Sequence, residues 1–245
     1  MRTSFESFQH YVQSQSAVPI PEREPHPLAI TISREAGAGA VTIAQMVAER
    51  LRALEKTPGA PPWTVVDANL AEQVAKDHKL PERLKNLITE EARAPVNTAV
   101  EELLGLQPSP WTLVQHTTET ILRLAQLGRV ILVGRGGNII TARLSHVLHV
   151  RLVAPWDDRV NHLARLSEVS HAEAARIAKS RDQARRAYLR RYFNVEIDDP
   201  TLYDLTLNTG RLGFARTADL ILEAARSHQQ ASLGAAGQMA GVPST

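Results

Sequence analysis

Cysteine is absent from all 245 residues. That excludes a disulfide framework, a thiolate metal site and a thiol nucleophile, and it suits a reducing compartment. No stretch approaches the roughly 20 apolar residues that a membrane span requires, and the chain does not open on a basic segment followed by an apolar run. These absences predict a cytoplasmic protein without membrane contact. Neither sign of charge is in excess: the net charge is +2, so the balance announces no nucleic-acid partner. The nine histidines show no paired helical spacing beside a suitable glutamate, which removes support for a zinc hydrolase. No G-x-S-x-G elbow offers an acyl-transfer serine, and no internal repeat is visible.

What is present points to one α/β domain with an insertion, because the length and the 43% hydrophobic share allow a sizeable core. Short β-branched runs alternate with longer helical patterns, as in stacked βαβ units with a mainly parallel sheet. The runs "LAITIS" (28–33), "WTVVD" (63–67), "VILVGR" (130–135), "VLHVRLVA" (147–154) and "YDLTLNT" (203–209) predict a five-stranded sheet. Helices are expected at Thr42–Lys56, Asn69–Lys79, Pro81–Arg93, Trp111–Leu127, Asp157–Ser167, His171–Tyr192 and Gly213–Ser227. Asp157 is placed to cap one helix, and Ser170, three residues before Glu173, forms a capping box for the next.

Residues 1–26, with the proline-rich "VPIPEREPHP", read as a flexible N-terminal arm, and residues 27–228 as the domain. The tail 229–245 has small residues and no apolar period, so disorder is expected there. The gap between the second and third predicted strands holds roughly 60 residues, far more than an ordinary connection of about 2–6. Residues 81–110 are therefore expected to form a helical insertion that binds an acceptor; 171–192 reads as a basic helix.

The stretch "REAGAGAVTIA" follows the first strand. Gly37 and Gly39 allow close backbone approach, and the amides of Gly37, Ala38, Gly39, Ala40, Val41 and Thr42 open a helix, an arrangement suited to an anion. Laid on the phosphate-loop pattern G-x-x-x-x-G-K-[ST] with Gly39 as its second glycine, the first glycine becomes Arg34, the lysine Ala40 and the hydroxyl Val41. The other reading of this stretch is a tight strand-to-helix turn that glycine merely permits. Ser33 or Thr42 can contact metal or phosphate, or cap the helix. Arg34, at the entry of the loop, is placed to reach the phosphates a lysine would otherwise touch.

Arg135 lies in "VGRGGN" at the carboxyl end of a predicted strand, where open α/β sheets place ligands, and its planar fork suits phosphate oxygens. Arg181 and Arg185, four apart in "ARIAKSRDQARRAYLRR", share one helix face, with Lys179, Arg186 and Arg190 on another. Asp67 closes the second strand and either orients an acceptor, holds Mg²⁺ through water, or caps the helix that follows. Trp63, Trp111 and Trp156 read as packing residues, and Asp204 as structural.

The segments "ITISREAGAGAVTIAQMVAERL", "VILVGRGGNII", "HVLHVRLVAPWDDRVNHLA" and "RDQARRAYLRRYFNVEIDDPTLYDLTLNTGRLG" together resemble the cytidylate kinase-like family of P-loop proteins. The resemblance implies a three-layer α/β/α P-loop NTPase fold with an acceptor insertion and a helical lid. It also implies ATP and Mg²⁺ as cofactors, a (deoxy)cytidylate-type acceptor, Arg135 gripping acceptor phosphate, and Arg181 and Arg185 on the transferring group, with Asp182 orienting one of them. The family's loop resembles "SR[EQ]-x-G-S-G-G-R-E", whose arginine falls on Val41 of this chain. The partners expected are a nucleotide donor and a small nucleotide acceptor, and the N-terminal arm leaves room for a homodimer. The alternative is a catalytically impaired nucleotide-binding or regulatory protein with a degenerate phosphate loop.

Overall fold

The computed structural model describes residues 26–55, 61–67, 118, 121–134 and 136–240. Strand β1, Ala29–Arg34, sends alternate side chains to two faces, with Ile30 and Ile32 on one and Ala29, Thr31 and Ser33 on the other. Ile30 and Ile32 join one apolar cluster and Ala29 another. Strands β2 (Thr64–Val66), β3 (Val130–Val133), β4 (Val147–Val153) and β5 (Leu205–Asn208) complete a five-stranded sheet in the order β2-β3-β1-β4-β5. Every described pairing is parallel, with Ile32 opposite Val133 on one side and Ser33 opposite Arg151 on the other.

Helix α1, Ala40–Leu54, packs against the final helical segment α5, Thr209–Ala240, which kinks at non-helical Gly213 (φ 72, ψ 161), on one face of the sheet. Ile43, Val47 and Ile221 are fully buried there among Ile30, Ile32, Ile131 and Leu152. On the opposite face, Ile121, Leu124 and Ala125 of the helical residues 121–127 meet Ala29, Val130, Leu132 and Val147. The result is the expected three-layer α/β/α fold. Three further helices stand at the carboxyl ends of the strands or beside them: α2 (Gly137–Ile140), α3 (Trp156–Ser167) and α4 (His171–Phe193). Val160 and Leu163 of α3 pack on Ala174 and Ala178 of α4, and Ala36, just after β1, joins them.

Several local expectations change. Helix α3 starts one residue before Asp157, with Pro155 as its N-cap and no side-chain cap, because Pro155 cannot continue a strand and presets the turn into the helix. Trp156 is 41% exposed and lies against the Arg159 guanidinium at 5.0 Å, so it is a surface residue, whereas Trp63 is buried as expected. The Ser170 cap is present, its hydroxyl accepting from the Glu173 amide at 3.2 Å. Where the sequence suggests a disordered tail from about Gln229, α5 continues to Ala240, an alanine-rich stretch with high intrinsic helix propensity. The third strand stops at Val133, and Gly134 then turns with φ 94. The N-terminal arm up to residue 25, the insertion 81–110, Trp111 and Arg135 lie outside the described residues. Among the described residues no helix is long and apolar enough to cross a membrane.

At the amino end of β4, His146 Nε2 donates to the Ala125 carbonyl at 3.0 Å, and His149 Nδ1 bonds Thr31 Oγ1 at 2.8 Å. Burial lowers both pKa values from their ordinary range; the Ala125 carbonyl opposes this at His146 and Asp204 opposes it at His149, while neighbouring His228 reinforces it at both. A histidine whose folded pKa is lowered binds its proton more readily when unfolded. Stability is therefore complete above about pH 6.5, the unfolded value, and falls with acidification through the lowered folded values, by at most about 1.4 kcal/mol per pH unit for each histidine. Urea midpoints between pH 5 and 8 test this; His149→Gln is expected to flatten the acid limb.

Candidate functional site

The connections leaving β1 and β4 run toward opposite edges of the sheet, so the crevice beyond their carboxyl ends is where an open α/β sheet places a ligand. Residues 35–39 line it. Gly37 (φ 84) and Gly39 (φ 80) are both left-handed, and Gly39 is the N-cap of α1, without any side-chain cap. The amides of Gly37, Gly39, Ala40 and Val41 donate to none of the described residues, leaving an electropositive helix start open to an anion. The glycines are also required by the protein's own packing. A Cβ on Gly37 would overlap the Arg159 carbonyl, and one on Gly39 the ring of Phe214.

The rest of the loop is pinned. The Glu35 amide donates to Leu152 O at 3.0 Å, Thr209 Oγ1 donates to Ala38 O at 3.1 Å, and the Ala36 amide donates to Asp182 Oδ1 of α4 at 2.7 Å. Asp182 Oδ2 accepts from Arg159 at 2.6 Å, and Arg159 also donates to the Ala36 and Ala154 carbonyls at 3.2 and 3.1 Å. Glu35 stands 3.4 Å from the same guanidinium and accepts from the Ala154 amide at 3.0 Å. Arg159 is 7% exposed, and these pairings are what permits its burial.

A small pocket opens beside this network, lined by Arg34, Glu35, Arg151, Asp182, Arg185, Arg186 and Ile197. Arg185 reaches Asp182 Oδ1 at 3.3 Å. Arg151 is the most deeply held of the four arginines, with a side chain 5% exposed. It donates to Ser33 Oγ at 3.1 Å and to Asp198 Oδ1 at 2.6 Å, and its guanidinium lies 5.6 Å from the Tyr203 ring centre. Arg186 donates to the other Asp198 oxygen at 3.2 Å. The Tyr203 hydroxyl donates to Ile197 O at 2.9 Å, which fixes the wall of the pocket.

Of the residues singled out from the sequence, Arg34 and Arg185 meet at this pocket, next to the loop Gly37–Thr42. Val41 is turned onto the core cluster, while Thr42 is exposed at the first turn of α1. Arg181 is half-buried on α4 but does not line the pocket. Asp67 follows β2, which β3 separates from β1, so it stands about two strand spacings of roughly 4.8 Å from the loop strand. Ser33 is engaged by Arg151, and Asp204 is structural, accepting from the His149 amide at 2.7 Å. Arg151, Arg159 and Glu35 escaped the sequence reading, and Arg186, read as lying on the other face of its helix, lines the same pocket as Arg185. The signal for Arg151 is a cation inside the apolar run "VLHVRLV", in step with His149 on the face that also holds Thr31 and Ser33.

Among curated proteins, a uronate isomerase of Corynebacterium glutamicum is 27% identical over 111 residues, 45% of this chain and 21% of that protein. A cytidylate kinase of Methanothrix thermoacetophila is 30% identical over 105 residues, 42% of this chain and 59% of that one. The chain thus spans less than two thirds of the length of either relative. An uncharacterised protein of Eubacterium ventriosum shares the fold, with a TM-score of 0.57 at 18% identity, over 82% of this chain and 99% of its own. The sequence pattern of the cytidylate kinase-like family matches residues 29–211, from the first residue of β1 past the end of β5 and across the loop and the whole arginine pocket. The chain therefore belongs to the cytidylate kinase-like family.

Proposed function

We propose that this chain is a nucleoside monophosphate kinase-like phosphotransferase, moving the γ-phosphoryl group of ATP to a (deoxy)cytidylate-type acceptor. The observation that carries this reading is the glycine loop with open amides at the carboxyl end of the central strand, directly beside a pocket lined by four arginines. The residues fit polyphosphate: a helix start without a side-chain cap accepts anionic oxygens, and Arg34 supplies the cation the loop lacks. Among the described residues no cluster of three His, Asp or Glu can cage a metal. This suits Mg²⁺ carried in on phosphate oxygens, since Mg²⁺ keeps several waters and is usually held by substrate phosphates and one or two carboxylates. When bound, the ion would neutralise charge on the transferred group.

Transfer forms one bond from an acceptor phosphate oxygen to γ-phosphorus and breaks the bond to the bridging oxygen, whose electron pair leaves with ADP. The chain's part is positioning and charge neutralisation. In this reading the open amides of Gly37, Gly39, Ala40 and Val41 hold donor phosphates, the Ala38 amide being committed to the Glu35 carbonyl, and Arg34, Arg181 and Arg185 offset charge on the moving group. Arg135 and Asp67 act on the acceptor. Partners are then a nucleotide donor and a small nucleotide acceptor.

A second reading, a nucleotide-binding protein without turnover, is favoured by one observation: Val41, where the family's loop carries arginine, packs on the core. Calorimetric titration with a non-hydrolysable ATP analogue and Mg²⁺, followed by acceptor-dependent ADP release across the common nucleoside monophosphates, separates the two. Binding with release supports the kinase; binding without release supports the second reading; no binding overturns both. Arg34→Ala is expected to weaken the analogue about 10- to 100-fold, the scale of a charged hydrogen bond. Arg50, committed to Asp219 at 2.7 Å and the Ala215 carbonyl on the far side of α1, is the control, and Arg50→Ala should leave affinity unchanged. Equal losses would remove Arg34 from the site.

A further inference from the structure

We propose that Arg151 and Arg186 form a separate phosphate subsite, that Asp198 occupies it as a built-in anion, and that the phosphate of a nucleoside monophosphate displaces this carboxylate. The inference deepens the phosphotransfer reading and rests on it in taking the arriving group to be the acceptor's phosphate.

A guanidinium withdrawn from water needs partners for its donors. Arg151 is buried in β4, yet the one carboxylate it meets among the described residues is Asp198, whose side chain is 57% exposed. Asp198 gives one oxygen to Arg151 and the other to Arg186, at 2.6 and 3.2 Å, so a single movable carboxylate spans two guanidinium groups. Ser33 Oγ and the face of Tyr203 hold Arg151 from the other sides, so its head stays in place if Asp198 leaves. The other two carboxylates at the pocket are committed elsewhere: Asp182 to the Ala36 amide and Arg159, Glu35 to the Ala154 amide and Arg159.

This is the geometry of an anion site carrying its own plug. Asp198 is the water-facing end of this pair, so its carboxylate can turn out to solvent, whereas the buried guanidinium needs another anion in its place. A phosphate monoester dianion has one more charge than Asp198 and three terminal oxygens against two, so it can bridge both guanidinium groups and retain an oxygen for Arg34 or Arg185 at the same pocket. The site lies in the crevice beside the loop, as a phosphate acceptor needs, and uses residues distinct from the loop amides.

The test is calorimetric titration of the full chain with inorganic phosphate and with cytidine monophosphate, in the wild type, Asp198→Asn, Arg186→Gln and Asp198→Asn/Arg186→Gln. Asp198→Asn, an isosteric change whose amide oxygen can still accept from Arg151, should tighten phosphate about three- to tenfold, with urea unfolding of the variant checking that it is folded, and adding Arg186→Gln should cancel the gain. A larger gain for cytidine monophosphate identifies the acceptor's phosphate as the displacing group; equal gains identify free phosphate. Unchanged or weaker binding of both ligands in Asp198→Asn overturns the subsite. The ATP analogue, titrated into the same variants, keeps the two readings apart. Its failure to bind while Asp198→Asn still tightens phosphate removes the kinase and keeps the subsite. Its binding with turnover, and no response to Asp198→Asn, removes the subsite and keeps the kinase.

Discussion

Asp182→Ala is expected to lower the unfolding free energy by about 3–5 kcal/mol, the usual cost of removing one partner of a buried ion pair. Asp182 and Arg159 contact at 2.6 Å with side chains 11% and 9% exposed, so the deletion strands a guanidinium that water reaches poorly. It also takes away the acceptor of the Ala36 amide, an orphaned donor at the root of the loop. Asp182→Asn should lose less, because the amide oxygen still accepts one of these bonds. The urea midpoint at constant m-value measures both. A loss below about 1 kcal/mol for Asp182→Ala would show that water or Glu35 replaces the carboxylate, and that the pair is not what holds α4 on the loop.

Gly37→Ala is expected to cost about 2–5 kcal/mol and to abolish nucleotide binding. Two effects add. The left-handed backbone at φ 84 penalises any side chain by roughly 1–2 kcal/mol, and the new methyl overlaps the Arg159 carbonyl, overpacking that costs about 1–3 kcal/mol more. The obstacle is backbone, in the first turns of α3, so it cannot rotate aside. Gly213 is the internal comparison: its φ is 72, but a Cβ there meets nothing within 4 Å, so Gly213→Ala carries conformational strain alone. Denaturant unfolding of the two variants, with analogue titration, tests the difference. Equal losses would mean that the approach of α3 to the loop is soft.

Local chemistry made much of this readable in advance. The β-branched runs located five strands, the Ser170 to Glu173 spacing marked the start of α4, and the glycine spacing marked the loop. What stayed hidden depends on pairings distant in sequence. Arg151 becomes a site residue only because β4 lies beside β1, bringing it opposite Ser33, and because the chain returns after α4 with Asp198. Arg159 looked like any helical arginine, since nothing near it in sequence shows that Ala36 and Asp182 converge on it. Arg185 and Arg186 lie about 100° apart around a helix, and periodicity assigned them to different faces. Both side chains are long enough to reach the same pocket from the edge of α4. The glycines were read as making room for a ligand, and the structure adds a second reason in Arg159 and Phe214.

The bond from the Ala36 amide to Asp182 ties the exchange of a single proton to the seating of a whole helix. That amide can meet water only when α4 lifts from the end of β1, so its hydrogen–deuterium exchange rate reports how often the basic helix departs, even with no ligand present. The loop and α4 then behave as one cooperative opening unit. A ligand that holds the helix down slows exchange at Ala36 before any chemistry occurs.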